Sequence, residues 1–213
     1  MIKFVSFDLD GTLLNTSEGI VESVKYTVDQ MGLKLPLDVN MGFFIGPPIQ
    51  MSLKQFFDLD DETAQHGADI FRTYYKTEAL YLAKPYEGIF ELLEELSKRK
   101  IKIGVATYKR EDYALDILKH FHISDYCVAM CGADNNNALT KSDIIRNSCV
   151  MAKEKPQNSI YVGDTIHDAK GAFEAGVPFV AVTWGFGVKS EKECIEYPSV
   201  GVATRPFDIL YYV

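Results

Sequence analysis

The chain has 213 residues and carries 22 Lys and Arg against 30 Asp and Glu, a net charge of −8. That balance argues against a general binder of nucleic acid polymers or of anionic membranes, which draw on a basic surface. It leaves small anionic substrates open, because a local cation can override the global field. A hydrophobic content of 47% suffices for a core, and the length allows one large domain or a domain with an insertion. Neither a signal-peptide core nor an apolar stretch of membrane-spanning length is found, so the cytoplasm is the expected location.

The first element, Lys3 to Phe7, is an apolar and β-branched run suited to a buried strand. Asp8 and Asp10 follow it, and strand alternation lets both point the same way from the strand's end. Like charges that close are costly unless a cation or a shared proton neutralises them. Gly11 fits a sharp turn or a close backbone approach to a ligand. Taken alone, Asp8 to Gly11 reads equally as a strand ending in an Asp-Gly turn.

Thr16 to Met31 is predicted as a helix capped by Thr16 or Ser17, with Ile20, Val21, Val24 and Val28 as its apolar stripe and Gly32 as its stop. Leu33 to Phe44 reads as loop, and Ile49 to Phe57 as a helix following Pro47-Pro48. The acidic Asp58 to Glu62 segment suits the start of a helix running to about Leu82. Its Phe71, Tyr74, Tyr75, Leu80 and Tyr81 are expected to serve as core. Residues 15–81 thus form an all-helical insertion, expected as an inserted subdomain, between segments 1–14 and 82–213 of an α/β core.

From Ile89 the pattern alternates. Helices are predicted at Ile89 to Arg99, Asp112 to His120, Ser142 to Ala152 and Ala169 to Ala175. Strands are predicted at Ile101 to Ala106, Tyr126 to Met130, Ser159 to Val162 and Pro178 to Thr183. With the first strand this is the signature of a Rossmann-like parallel sheet. A short strand and helix are expected within Gly201 to Val213. Cys127, Cys131, Cys149 and Cys194 include no C-x-x-C pair and are read as buried free thiols.

Ligands of open α/β sheets bind beyond the carboxyl ends of the strands. There the sequence places Asp8 and Asp10, then Thr107-Tyr108-Lys109, then Thr140-Lys141, then Gly163-Asp164 with Asp168. These sets, in this order, resemble the four motifs of the haloacid dehalogenase-like superfamily, beginning with Asp8-Leu9-Asp10-Gly11-Thr12. Cys131 to Asp134 and Ile45-Gly46-Pro47-Pro48 resemble segments of its phosphoglycolate-phosphatase-like members, and the helical insertion over residues 15–81 resembles the family's small cap subdomain. Tyr108-Lys109, where many relatives have a small residue, and Ser142, where many have proline, depart from the pattern.

The resemblance implies a phosphatase for a small phosphorylated metabolite, acting as a monomer or homodimer. It implies Asp8 as nucleophile, Asp10 as general acid and base, and Thr107 and Lys141 as catalytic ligands of the phosphoryl group, with Gly11 also contacting substrate. Asp8, Asp10 and Asp164 would hold Mg²⁺, and Asp168 would orient its waters or Lys141. Hard oxygen ligands suit Mg²⁺ over zinc. The four carboxylates would place four negative charges in one crevice, against three positive from Mg²⁺ and Lys141, so a proton on Asp10 would make the empty site neutral. His167 is expected in a surface or supporting position, and Lys109 and Arg110 are expected to be solvated, where either could help recognise a substrate. A phosphosugar mutase would use the same aspartates. A dehalogenase would need neither Asp10 as acid nor Asp164, and a non-catalytic binding protein would not need the full charged set.

Overall fold

The Phe4–Phe7 run forms strand β1, whose four residues are all buried. The computed structural model describes residues 1–134, 138–194 and 199–213. Five further strands join β1: β2 (Lys102–Arg110), β3 (Cys127–Ala133), β4 (Ser159–Gly163), β5 (Phe179–Val182) and β6 (Gly201–Ala203). They make one six-stranded sheet in the order β3-β2-β1-β4-β5-β6, and every pairing is parallel. The order builds outward from β1 on one side and resumes from β4 on the other, so it switches between β1 and β4. Beyond that point two neighbouring strands diverge into different connections and leave a crevice at their carboxyl ends. The Rossmann-like α/β reading holds.

The α-helices, in chain order, are α1 (Ser17–Gln30), α2 (Ile49–Phe57), α3 (Asp61–Tyr74), α4 (Ile89–Lys98), α5 (Glu111–His120), α6 (Lys141–Ala152) and α7 (Ile166–Ala175). The chain divides into two compact units, residues 1–15 with 85–213, and residues 16–84.

In the sheet unit, helix periodicity translates directly into burial. α4 hides Ile89, Leu92, Leu93 and Leu96, the spacing of one helical face. Phe4, Ala106, Ile144, Ile145, Tyr161 and Phe179 belong to a single buried cluster. Three boundaries differ from expectation by more than one residue. β2 continues to Arg110 through a pairing irregularity after Ala106, over residues too polar to announce a strand. β3 likewise extends to Ala133. α7 begins three residues early, because Thr165 and Asp168 close a capping box that apolar periodicity does not register. The carboxyl-terminal segment resolves into β6 and a 3₁₀ helix over Pro206–Tyr212.

In the helical unit α1 buries Ile20, Val24 and Val28 as expected, while Val21 is only half-buried. Asp60 caps α3 by accepting from the Thr63 N–H at 2.7 Å. α3 then widens into a π turn over Tyr75–Ala79 instead of continuing as one helix. Gly67 permits close packing, since a Cβ there would lie 2.6 Å from Met31 Sδ and 3.0 Å from Leu53. Phe71, Tyr75 and Leu80 are core, but Tyr81 is exposed and Tyr74 is half-buried, stacked on Tyr26 with centroids 4.1 Å apart. The aromatic stripe is therefore only partly core.

Cys127, Cys131 and Cys149 are free thiols, and burial pushes the first two up to about 12 and about 11. Cys127 is half-buried and the other two buried; the reading of Cys194 falls on a side chain outside the described part of the structure. Among the described residues no helix is long and apolar enough to cross a membrane.

Candidate active site

Asp8 directly follows β1, and the chain then folds into a tight turn. The Leu13 and Leu14 N–H groups both donate to the Leu9 carbonyl, and the Gly11 N–H donates to that of Leu14. Gly11 holds φ at +86°, and any Cβ there would collide with the Asp164 carboxylate and with Phe186. Glycine is thus demanded both by the backbone and by the approach of β4's acidic residue.

Lys141 is the first residue of α6 and is buried. Gly171 of α7 makes room for its stem, since a Cβ there would lie 2.6 Å from Lys141 Cγ. Its ammonium sits 2.8 Å from Asp8 Oδ1 and 2.8 Å from Asp168 Oδ1. The rings of Tyr108 and Tyr161 lie 5.2 and 5.6 Å from the same nitrogen, a favourable setting for a cation. Burial works against the lysine's charge, yet Asp168 and Asp8 hold its pKa above the ordinary range. The Lys141 backbone N–H, one of the orphan donors of a helix start, donates to the Tyr108 hydroxyl at 2.9 Å.

Asp168 works from both its oxygens. Oδ2 accepts from the Thr165 N–H at 2.9 Å and its hydroxyl at 2.6 Å, while Oδ1 receives Lys141. Burial opposes the charge on Asp168, but Lys141 and Thr165 hold its pKa below the usual carboxylate value. Asp8 and Asp164 go the other way. Burial pushes Asp8 up to about 7, with Lys141 resisting, and pushes Asp164 up to about 8, with Asp168 and Asp8 adding to the effect.

The carboxylates of Asp8, Asp164 and Asp168 bring ligand oxygens within 4.8 Å of one another. Asp164 Oδ2 accepts from the Phe186 and Gly187 N–H groups at 2.7 and 3.2 Å, whereas its Oδ1 is buried without a hydrogen-bond partner among the described residues. An orphaned buried carboxylate oxygen within an all-oxygen donor set fits a hard divalent cation. Asp10 is not in that group of three; it faces Lys109, whose ammonium lies 2.9 Å from Oδ1 and 3.2 Å from Oδ2. Thr107 is buried at the pairing irregularity of β2, its hydroxyl oxygen accepting from the Lys109 N–H at 3.2 Å. Such irregularities re-aim side chains at strand ends.

The structure therefore brings Asp8, Asp10, Thr107, Lys141, Asp164 and Asp168 to one end of the sheet, with Gly11 in the turn between. The expectation for Lys109 and Arg110 is corrected. The Lys109 side chain is 6% exposed and paired with Asp10, and Arg110 pairs with Asp112 over the Tyr113 ring. His167 is half-buried, and burial lowers its pKa. Tyr161 and the loop Trp184 to Gly187 escaped the sequence reading. That loop follows β5 at the same edge, so inspecting the fifth strand end as the first four were inspected would have found it. Trp184 Nε1 donates to the Thr12 carbonyl at 3.0 Å and fastens the loop to the Asp8 turn.

Residues 5–182 match the family model described as haloacid dehalogenase-like hydrolase. The chain belongs to the haloacid dehalogenase-like hydrolases. Within that family it is 32% identical to a 5′-nucleotidase of Pseudomonas aeruginosa, over 88% of this chain and 85% of that protein. It is 34% identical to a phosphoglycolate phosphatase of Agrobacterium fabrum, over 84% and 80% respectively. It is also 30% identical to the tyrosine-protein kinase PtkA of Mycobacterium tuberculosis, over 87% of this chain but only 63% of that protein. Among solved structures, a protein described as a predicted phosphatase from Clostridium acetobutylicum superposes with a TM-score of 0.90 at 32% identity, covering 100% of this chain and 97% of the other.

Proposed function

We propose that this hydrolase is a Mg²⁺-dependent phosphatase of small phosphate monoesters that works through an aspartyl-phosphate on Asp8. The observation that carries the reading is the Lys141–Asp8 contact of 2.8 Å at the end of β1. The contact holds Asp8 Oδ1, and the attack is assigned to Oδ2.

In the first step Asp8 Oδ2 forms a bond to phosphorus while the bond to the leaving oxygen breaks, and Asp10 gives that oxygen its proton. In the second, Asp10 takes a proton from water, whose oxygen bonds to phosphorus as the Asp8–phosphorus bond breaks. Lys141 balances charge on the phosphoryl oxygens and the Thr107 hydroxyl donates to one of them. Asp168 keeps the Lys141 ammonium aimed. Asp8, Asp10 and Asp164 would hold the magnesium ion, which when bound would offset the repulsion between the carboxylate and the phosphate dianion. The orphaned Asp164 oxygen supports the part given to Asp164, and the clustering of its carboxylate with that of Asp8 supports the pair.

Residues 15–81 are proposed as the cap that selects the leaving group. Relatives named for nucleotides and for phosphoglycolate indicate small phosphate esters as the substrate class. A phosphosugar mutase would use the same residues and return the phosphoryl group to substrate.

The test is an acid quench during turnover of a ³²P-labelled small ester. Wild type should carry label on protein and Asp8→Asn none, with free phosphate released in step with alcohol. Isomerised sugar phosphate accumulating ahead of free phosphate would replace the phosphatase with a mutase.

A further inference from the structure

Tyr161 is a polar side chain in the middle of a parallel sheet, fully buried, where an aliphatic residue would fill the volume at no polar cost. Its position is fixed by register. It pairs with Ser6 of β1, and Ser6 pairs with Gly104 of β2, so the three share one face of the sheet. Ser6 and Gly104 are small, and the ring extends over β1 to reach β2. There the phenol donates to the Ala106 carbonyl at 2.6 Å. Its oxygen also lies 3.2 Å from Asp168 Oδ1, the oxygen that receives Lys141.

Both partners belong to the site. The Ala106 carbonyl is part of the peptide that leads into Thr107, just where β2 loses its regular pairing with β3. A strand released from its neighbour needs another restraint to fix where its next side chain points. Asp168 is the carboxylate on which the Lys141 ammonium rests. One hydroxyl proton is therefore shared between the two groups that aim the proposed phosphoryl ligands, Thr107 from β2 and Lys141 from α6. The ring itself flanks that ammonium at 5.6 Å.

We propose that Tyr161 is a positioning residue for phosphoryl transfer, a strut whose hydroxyl ties the end of β2 to Asp168 and so sets the distance between Thr107 and Lys141. It never touches substrate. The inference rests on the phosphatase reading for its kinetic readout, and the test keeps the two apart.

The experiment compares wild type with Tyr161→Phe, using p-nitrophenyl phosphate for turnover and orthovanadate for binding, at saturating Mg²⁺ and well below the melting temperature. The expected result is a fall of about tenfold in kcat with KM within about twofold, and orthovanadate binding weakened by about tenfold, because misaimed ligands cost most where phosphorus is five-coordinate. Unchanged kcat and unchanged orthovanadate affinity, whatever happens to Tm, would reduce the phenol to core packing and overturn the proposal. Should Tyr161→Phe not fold, replacing Tyr161 by an isosteric fluorotyrosine retains the ring and alters only the donor. A change in orthovanadate affinity of at least twofold then supports the strut, and none overturns it. A wild type that binds orthovanadate yet turns over no phosphate ester would defeat the phosphatase reading, and the orthovanadate comparison would still decide on Tyr161.

Discussion

Lys109 Nζ lies 2.9 Å from Asp10 Oδ1, with the two side chains only 6% and 9% exposed. This pair changes the charge balance of the site. Asp8, Asp10, Asp164 and Asp168 bring four negative charges, and Lys141 and Lys109 return two. One divalent cation would offset the two negative charges that remain before substrate arrives. A buried ion pair this enclosed is strongly coupled, and removing one member leaves the other uncompensated.

Lys109→Met should therefore act in opposite directions on the two ligands. Withdrawing a positive charge from the crevice should tighten Mg²⁺ binding and weaken that of the phosphate dianion. We expect KM for a small ester to rise about tenfold and the half-saturating Mg²⁺ concentration to fall, on the scale of partly buried charge pairs. Equal weakening of both ligands would mean that the variant disturbs the fold rather than the field.

Asp8→Asn should remove all measurable turnover while leaving the protein folded. The amide keeps the shape but cannot form the phosphoenzyme. Because burial already lifts the Asp8 carboxyl to about 7, loss of its charge should not lower Tm at pH 8. Near wild-type turnover by the purified variant would remove Asp8 from the nucleophile's role.

Metal and pH should be linked through stability. In the metal-free protein Asp8 titrates near 7 and Asp164 near 8, above the carboxylates of an unfolded chain. The native state then binds more protons than the unfolded state between about pH 4 and 8, so stability falls as pH rises across that window. Asp168, with its lowered pKa, contributes in the opposite sense and only in acid, where its share of stability is lost as pH falls. Thermal melts in chelator should show Tm declining from pH 5.5 to 8.5, and added Mg²⁺ should raise Tm most at the alkaline end. A metal-free Tm that climbs through this range would contradict the assignment.

Gly11→Ala tests the turn. A left-handed conformation costs a residue with a Cβ about 1–2 kcal/mol, before any collision with Asp164 is counted. The variant should lose at least that much in denaturant unfolding and should bind Mg²⁺ less well. Unaltered stability and metal affinity would show that the turn can relax.

Much of the site was legible because its chemistry is local. Asp8, Asp10 and Asp164 stand just beyond strand ends, whereas Thr107 lies at the irregularity inside β2 and Asp168 in the first turn of α7, and these two were found through the resemblance of their motifs. Lys141 was legible through its resemblance to the family's third motif, at the start of α6. The position of Lys109 was not, because lysine after a strand ordinarily points to water, and its burial depends on Asp10, 99 residues away. Tyr161 was read simply as part of a strand. Nothing local distinguishes a packing tyrosine from one whose hydroxyl reaches two strands across. The π turn after Tyr74 was hidden for a related reason, since helical periodicity does not report a widened turn.

Asp168 finally bears on how far this site can be altered. One of its oxygens closes the capping box that starts α7, and the other receives the lysine. Asparagine could still cap the helix but would give the ammonium no charge, and glutamate would keep the charge on a stem too long for both contacts. Evolution and protein engineering alike meet a position with no graded neighbours. Variation in substrate preference must then accumulate elsewhere, on surfaces whose side chains answer to the ligand alone and not to the start of a helix.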